Sequence, residues 1–457
     1  MTHLMTMSRE GCALSNEQNI DFVLRTVEER DIRFVRLWFT DVLGNLKSFS
    51  ISPEDLAEAF EEGIGFDGGA VDGFAQPEET DMLAFPVAET FQILPWRPKE
   101  KGVARVFCEV CTPDFEPFDG DPRACLKRMF EKAEDRGFVF NVGPELEYFY
   151  FADSKTPQPV DDAGYFDLTP WDSARELRRD TTLMLEKMSI PVEYSYHSQA
   201  PSQNGIELRY AEALSCADNI MTARLIIKQV AYDNGLFASF MPKPFADTAG
   251  SAMFLHQSLF DHEGNNVFWD ENDELYLSET ARHYVGGLLR YAPELMLVTN
   301  PTVNSYKRLV TSRAVPCYAT WGRRNRAAMV RVPVYKPGKS LSTRVELRTP
   351  DPTCNPYLGF AATLAAGLKG IEEGIEPGPE FSVADSKLSE TELAKRGIER
   401  LPRNLGEAVA AFEQSDLMRE TLGDHIFSYL LRHKRAEWEE YNETVTQWEC
   451  EHYYAGF

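Results

Sequence analysis

The chain has 457 residues and a formal net charge of −25, with 43% hydrophobic and 26% charged residues. This length exceeds one ordinary hydrophobic core, so we expect about two to four domains, or one large domain with an appendage. The acidic surplus argues against non-specific binding of nucleic acids. No apolar run approaches the roughly 20 residues of a membrane span, and the N-terminal segment lacks the apolar stretch of a signal peptide. We therefore expect a cytoplasmic protein.

The first part of the chain predicts a small α+β domain. Residues 1–15 are expected to form a loose tail, and Ser15-Asn-Glu-Gln18 resembles a capping box that begins a helix. Strands are predicted over 32–39 and 46–51, and the domain is expected to span residues 16–112.

Two acids in this first domain stand next to glycines. Asp41 follows a predicted strand and precedes Gly44, while Asp67 precedes Gly68 and Gly69. Asp and Gly are favoured in turns, so each could be turn chemistry alone.

A segment rich in turn formers at residues 113–122 indicates a linker, and a second domain is expected over 113–457. Its pattern mixes strands with helices, and about the last 50 residues are predicted to be helical. Helices are predicted at 122–136, 173–188, 211–235, 278–291 and 355–373.

The segment Gly143-Pro-Glu-Leu-Glu-Tyr-Phe-Tyr150 predicts a strand that carries two carboxylates. Side chains alternate along a strand, so Glu145 and Glu147 point to the same face. Adjacent like charges are costly, and a cation is the usual remedy.

The segment Ser342-Thr-Arg-Val-Glu-Leu-Arg348 repeats this pattern, with Arg344, Glu346 and Arg348 on one predicted strand face. Carboxylates for Mg²⁺ beside arginines for phosphate are typical of phosphoryl-transfer sites. Either segment alone would fit an ion-paired surface strand. His256 and Ser258 share another predicted strand face and could contact a nucleotide, although a lone histidine is more often structural.

Several ordered motifs together resemble the glutamine synthetase family, of the type-I bacterial and archaeal kind. They are Gly143-Pro-Glu-x-Glu147, Asn304-Ser-Tyr-Lys-Arg-Leu-Val310, Arg324-Asn-Arg326, Arg344-x-Glu-x-Arg-x-Pro-Asp-Pro352, Asn355-Pro-Tyr357 and Gly367-Leu-Lys-Gly370. The resemblance implies an α+β architecture: a small N-terminal β-grasp domain and a large C-terminal catalytic α/β domain. It also implies a homo-oligomer of two stacked hexameric rings, with each site shared between neighbours.

The family's reaction uses ATP to phosphorylate the γ-carboxylate of glutamate, and ammonia then displaces the phosphate. Two divalent metals stabilise the developing charge. The resemblance implies metal ligation by Glu145, Glu147 and Glu346, and carboxylate-substrate binding by Gly250, Arg308 and Arg348. It assigns ATP contacts to His256, Ser258, Arg331 and Arg344, and catalytic roles to Asp41, Asp67 and Arg326.

Four positions of the expected metal and ammonium sites depart from the family's pattern, and Ala249 also replaces an asparagine before Gly250 that helps to hold glutamate. Ser198 and Gly205 stand where two glutamates should complete the first metal site, and Phe254 replaces a histidine ligand of the second. Ala314 replaces the glutamate that helps to bind and deprotonate ammonium, and alanine cannot act as a base. Glu207 lies on the strand face of Gly205 but roughly 6.5–7 Å further along, so it could supply a ligand only if the backbone shifts.

Two interpretations remain open. One is a diverged ATP-dependent ligase for a non-standard carboxylate or amine, which uses ATP and Mg²⁺ or Mn²⁺ but fewer metals than the family's two. The other is a catalytically inactive homologue that binds a ligand or assembles with an active relative. Formation of glutamine from glutamate and ammonia is less expected than either. A purely structural ring would not require the arginines.

Overall fold

The computed structural model describes residues 2–75, 80–97, 100–310, 315–333 and 338–456, and for residues 2–15 it describes only the backbone. The predicted substitution of a base by Ala314 lies outside the described residues. In the part of the chain that is described, no helix is both long and apolar enough to cross a membrane.

The N-terminal part contains two helices and six strands within the described ranges. In chain order these elements are α1 (Thr2–Glu29), β1 (Ile32–Thr40), β2 (Leu46–Ile51), α2 (Leu56–Glu62), β3 (Ile64–Asp67), β4 (Asp81–Pro86), β5 (Gln92–Ile93) and β6 (Gly102–Cys111).

The C-terminal part begins with helix α3. Asp121 caps this helix by accepting a hydrogen bond from the Arg123 backbone, and Pro122 occupies the first helical turn. The elements of the first half are α3 (Pro122–Glu134), β7 (Val139–Phe151), α4 (Arg175–Lys187), β8 (Val192–His197), β9 (Gln203–Leu208), β10 (Ala211–Glu212), α5 (Ala213–Asp233), β11 (Phe237–Ser239) and β12 (Met253–Phe260).

The remaining elements are mainly helical. They are α6 (Glu279–Arg290), α7 (Ala292–Thr299), α8 (Val303–Val310), β13 (Trp321–Gly322), β14 (Val330–Arg331), β15 (Val345–Leu347), α9 (Pro356–Glu373), α10 (Glu390–Lys395), α11 (Leu405–Glu413), α12 (Asp416–Glu443) and α13 (Gln447–Tyr453). The five helices predicted from the sequence are confirmed, each within two residues of the predicted ends.

Two sheets organise the described strands. The first has the order β2-β1-β6-β4-β3, with β5 paired to β6, and its central pair β1 and β6 is parallel. The second has the order β13-β14-β15-β12-β7-β9-β8, with β10 and β11 also paired to β7. The long strand β7 therefore lies at the centre of the second sheet, with β9 on one side and β12 on the other.

Two sequence predictions differ from the structure. Residues 2–15 belong to helix α1 rather than to a loose tail, and Ser15 lies inside this helix rather than at its start. No proline interrupts this stretch, so nothing in the sequence stops the helix from extending toward the N-terminus. The predicted strand over 342–348 is shorter than expected, because residues 340–342 form a 3-10 turn and only Val345–Leu347 pair as β15.

One hydrophobic cluster joins the two parts, and the N-terminal part has further clusters of its own. Trp38 and Phe107 of the first sheet pack in the same buried cluster as Phe140 and Tyr148 of strand β7. A polar contact adds to this packing, because the Asn355 side-chain amide donates to the backbone oxygens of Asp41 and Val42, at 3.2 and 3.3 Å.

Candidate functional site

One face of the second sheet brings together four buried or largely buried glutamates. Glu145 and Glu147 lie on β7, Glu207 lies on β9 and Glu346 lies on β15. The antiparallel register of β7 and β9 places Glu145 opposite Glu207, and Glu147 opposite Gly205. A carboxylate is therefore absent at position 205 but present two cross-strand pairs away, on the same face of the sheet.

Neutral donors hold the carboxylate of Glu147. The Ser198 hydroxyl donates to its Oε1 at 2.6 Å, and the Ala252 backbone donates to its Oε2 at 2.8 Å. Burial raises the pKa of Glu147, although these hydrogen bonds and two nearby arginines oppose the shift. Ser198 stands where the resemblance implies a metal ligand. Its hydroxyl instead donates a hydrogen bond directly to the carboxylate of Glu147.

The ring of Tyr196 occupies the space above Gly205. These residues are cross-strand partners on β8 and β9, and a Cβ built on Gly205 would lie only 2.3 Å from the Tyr196 Cζ. The Tyr196 hydroxyl donates a short hydrogen bond to Glu145. Its ring packs edge-on against Tyr165 and Phe166, at centroid distances of 5.8 and 5.4 Å.

The carboxyl group of Glu145 has a strongly shifted pKa. Burial raises it to about 8, and the carboxylates of Glu147, Glu207 and Glu346 add to the shift, while the Tyr196 hydroxyl opposes it. The residues present do not fit the family's first metal. The Tyr196 phenol takes the volume that one further carboxylate would need, and it hydrogen-bonds to Glu145. The Ser198 hydroxyl stands in place of the other and hydrogen-bonds to Glu147.

The carboxylate of Glu207 faces His256 rather than Gly205. The His256 Nε2 lies 3.8 Å from the Glu207 Oε1, and the Arg344 Nε donates to the His256 Nδ1 at 3.2 Å. Burial lowers the pKa of His256 to about 4, so its ring is neutral at pH 7. Glu207 stays at its own register position, and it therefore does not restore the first metal site.

Glu346 is neutralised by arginines instead. Arg331 donates to its Oε2 at 2.6 Å, and Arg348 makes a short contact with its Oε1. Burial alone would raise the pKa of Glu346, but Arg348, His256 and Arg331 outweigh burial and lower it. The Arg348 guanidinium also lies 4.3 Å from the ring centroid of Phe254, so the residue that replaces a histidine ligand supports an arginine by a cation–π contact.

The predicted carboxylate-binding residues lie beside this cluster. Arg308, on α8, is buried and donates to the backbone oxygen of Thr349 at short range and to that of Pro350 at 3.1 Å. Gly250 makes a close backbone approach, since a Cβ there would lie 2.4 Å from the Pro242 oxygen and 3.0 Å from the Arg308 Cγ. The geometry thus explains why a glycine stands at position 250.

The predicted catalytic acids lie in the N-terminal sheet. Asp41 is fully buried and accepts from the backbone and side chain of Asn45, at 2.8 and 3.0 Å, and pairs with Lys47 at 3.1 Å. Asp67 is exposed and accepts from the Gly69 backbone at 2.7 Å. Both therefore take part in turns within a single chain. The exposed Arg326 follows β13, and its backbone oxygen accepts from the Arg348 Nε at 3.1 Å.

A second His–carboxylate group is satisfied internally. Asp161, Asp172 and His197 have ligand atoms within 4.8 Å of one another. The His197 Nε2 lies 3.0 Å from Asp161, and Arg178 pairs with Asp172 at short range. This group ties the 160–172 segment to strand β8.

Comparisons with known proteins agree with this architecture. The family model described as glutamine synthetase, beta-Grasp domain, matches residues 31–113, and that described as glutamine synthetase, catalytic domain, matches residues 119–453. The chain belongs to the glutamine synthetase family. It is 50% identical to the glutamine synthetase of Mycolicibacterium smegmatis over 95% of this chain and 98% of that protein.

More distant relatives extend the same finding. The glutamine synthetase of Methanosarcina mazei is 46% identical over 94% of this chain and 96% of that protein. A solved structure described as a GmaS/ADP complex matches with a TM-score of 0.83 and 31% identity, over 94% of this chain and 99% of that one. A structure described as apo GmaS without ligand matches with a TM-score of 0.81. The predicted family and fold class are confirmed.

Sequence reasoning identified the lost ligands but missed what replaced them. Tyr196 was part of the altered stretch, yet its role depends on being paired with Gly205 across two strands. A large ring opposite a glycine is a detectable signal once the pairing of β8 and β9 is known. Tyr194, whose phenol counteracts the rise that burial causes in the pKa of Glu207, was missed for the same reason.

Proposed function

We propose that this member of the glutamine synthetase family is a diverged ATP-dependent carboxylate–amine ligase of the γ-glutamyl type. Its substrate pair differs from glutamate and ammonia, and it uses ATP with Mg²⁺ or Mn²⁺ at fewer than two metal positions. In the proposed reaction, ATP phosphorylates a carboxylate and an amine displaces the phosphate.

One observation carries this proposal. At the position of the family's first metal, Tyr196 and Ser198 bond directly to Glu145 and Glu147. In the family, that metal helps to neutralise the acyl phosphate and to bind the substrates. A site that replaces it with a phenol, a hydroxyl and an aromatic wall favours a substrate that is bulkier or less charged than the standard pair.

The arginine side of the site supports retained nucleotide and carboxylate binding. Arg331 and Arg344 approach Glu346 and His256, in the arrangement expected for phosphate contacts, and Arg308 lies beside Gly250. A solved relative is described as an ADP complex, which supports the proposal that this chain also binds an adenine nucleotide.

One observation favours the second candidate, an inactive homologue that binds a ligand or assembles with an active relative. Both oxygens of Glu346 are engaged by arginines of the same chain, and Arg308 is held by backbone oxygens. Charged side chains that are hydrogen-bonded within the chain in this way could stabilise the structure without taking part in a reaction.

The test is ADP release by the purified, metal-supplied protein. Glutamate and other carboxylates are screened against ammonia and a panel of amines, with calorimetric MgATP binding measured in parallel. ADP release that depends on a non-standard substrate would support the ligase, and MgATP binding without turnover would support the inactive homologue. Ordinary turnover of glutamate and ammonia to glutamine would contradict the proposal.

We also propose that the chain forms two stacked hexameric rings, in which the exposed Asp67 faces the site of a neighbouring subunit, while the buried Asp41 supports this edge from within its own chain. Exposed aromatic side chains in the 165–171 segment, among them Trp171 at 79% exposure, would find contacts in such an assembly. Native mass spectrometry checks this proposal, and a monomer at micromolar concentration would contradict it.

A further inference from the structure

Positions 205 and 207 lie on the same face of strand β9. The first lacks a carboxylate, and the second carries one. Strand β9 pairs with β7 so that Glu147 faces Gly205 and Glu145 faces Glu207. The pair of facing carboxylates has thus moved by two residues along both strands, toward His256 on β12.

We propose that a single divalent cation, Mg²⁺ or Mn²⁺, binds to Glu145, Glu207 and His256, two cross-strand pairs away from the family's first metal position. This inference deepens the proposed function, because it names the residues of the remaining metal site. It differs from the ligand set expected by resemblance, since Glu207 and His256 were not among the matched metal ligands.

The three side chains lie close enough to share an ion. One ligand atom from each of Glu145, Glu207 and His256 lies within 4.8 Å of the other two. Neighbouring ligands of one octahedral ion with bonds of about 2.1 Å lie roughly 3 Å apart, and opposite ligands about 4.2 Å apart. Side-chain rotations can supply the remaining contraction without a shift of the backbone.

The charges of this cluster also call for a cation. Within the described residues, neither Glu145 nor Glu207 forms an ion pair with an arginine or a lysine, whereas Glu346 has two arginines. Glu145 accepts a hydrogen bond from the Tyr196 phenol, and the Tyr194 phenol counteracts the rise that burial causes in the pKa of Glu207; neither phenol supplies a positive charge. Two facing carboxylates of this kind are stabilised by a shared cation.

His256 provides an independent indication. Its side chain is 92% buried, and its Nε2 has no hydrogen-bond partner in the described part of the chain while it faces the Glu207 Oε1 at 3.8 Å. The Arg344 Nε donates to the Nδ1, which places the ring proton on Nε2. When Arg344 turns toward a phosphate, the proton can reside on Nδ1, and the Nε2 lone pair can bind the ion.

Calorimetric titration with Mn²⁺ alone, without ATP or substrates, tests this inference. The wild-type chain is expected to bind one Mn²⁺ per subunit. Glu207→Gln keeps the size of the side chain but removes its charge, so we expect affinity to fall by about 10-fold or more. Glu147→Gln is the matched control two cross-strand pairs away, and we expect less than about a 3-fold change.

Two further measurements keep the test decisive. Circular dichroism and thermal unfolding establish that each variant is folded, and His256→Gln provides a second ligand variant in case Glu207→Gln does not fold. The triple variant Tyr196→His, Ser198→Glu and Gly205→Glu rebuilds the family's first site and is expected to bind a second Mn²⁺.

Loss of binding in Glu147→Gln but not in Glu207→Gln would overturn the inference, as would two ions per wild-type subunit or no binding at all. Because the titration contains no nucleotide, its result is separate from the test of ligase activity. One Mn²⁺ bound through Glu207 without any turnover would support this inference and contradict the proposed function.

Discussion

The buried carboxylates at the two ends of one site have different kinds of hydrogen-bond partner. At one end, Glu145 and Glu147 accept hydrogen bonds from Tyr196, Ser198 and the Ala252 backbone, and burial raises the pKa of both glutamates. At the other end, Glu346 is paired with two arginines, and its pKa is lowered. Neutral donors satisfy oxygen atoms without cancelling charge, whereas arginines cancel it.

The two ends also differ in their agreement with the resemblance. The arginine end, around Glu346, combines arginines with a buried carboxylate, and its charged residues are the ones that the resemblance implies, whereas Phe254 there departs from it. At the hydroxyl end, around Glu145 and Glu147, a serine and a glycine stand where the resemblance implies two metal ligands, and the Tyr196 phenol fills the space above that glycine.

The largest expected effect comes from placing a carboxylate at position 205, beside Tyr196 and Glu147. Gly205→Glu should lower the free energy of unfolding by about 3 kcal/mol or more, because the new side chain collides with Tyr196 and adds a buried charge near Glu147. Chemical denaturation measures the effect. In a Tyr196→Ala background the cost should be smaller than in the wild type, and equal costs in both backgrounds would mean that Tyr196 does not fill this space.

At the arginine end, Arg348→Met should lower the free energy of unfolding by about 1.5–3 kcal/mol. The change leaves one oxygen of Glu346 without its charged partner and removes the cation above Phe254. The control is Arg326→Met, because Arg326 is exposed and only its backbone contacts Arg348. Similar losses for the two variants would contradict the assigned contacts.

A smaller effect is expected from Ser198→Ala, about 1–2 kcal/mol of unfolding free energy. The buried Glu147 then keeps only the backbone hydrogen bond from Ala252. Ser195→Ala, three residues earlier and half-buried, is the matched control and should change stability by less than about 0.5 kcal/mol. A null effect for Ser198→Ala would mean that its hydroxyl does not support Glu147.

The smallest effect concerns the His197–Asp161 pair beside the hydroxyl end. Burial alone would lower the pKa of His197 and raise that of Asp161, but their hydrogen bond outweighs burial and reverses both shifts. The His197 contribution is complete below pH 6.5 and is lost as pH rises through its raised pKa; the Asp161 contribution is lost as pH falls below 3.8.

Comparing unfolding of the wild type and His197→Gln across pH should therefore give a difference that shrinks at both ends of this window. Its size should stay below about 1.5 kcal/mol. Asp162→Asn, at the exposed neighbouring position, should leave the profile unchanged. A difference that grew above neutral pH would contradict the proposed pairing.

Much of the fold followed from local patterns in the sequence. Helix α9 was predictable because Asn355 and Pro356 start it and Gly374, with φ of +62°, ends it. The shared face of Glu145 and Glu147 followed from strand periodicity alone. The short extent of β15 and the length of α1 were not predicted, because they depend on strand partners and on a stretch without clear stop signals.

The sequence by itself determined the family, and its resemblance to that family predicted which positions are altered. Tertiary structure alone decided what took their place. Tyr196 and Gly205 are nine residues apart in the chain, and Glu145 and Glu207 are 62 apart, so only the pairing of β7, β8 and β9 makes them neighbours. Periodicity fixes the face to which a side chain points, but strand register fixes which side chain lies opposite.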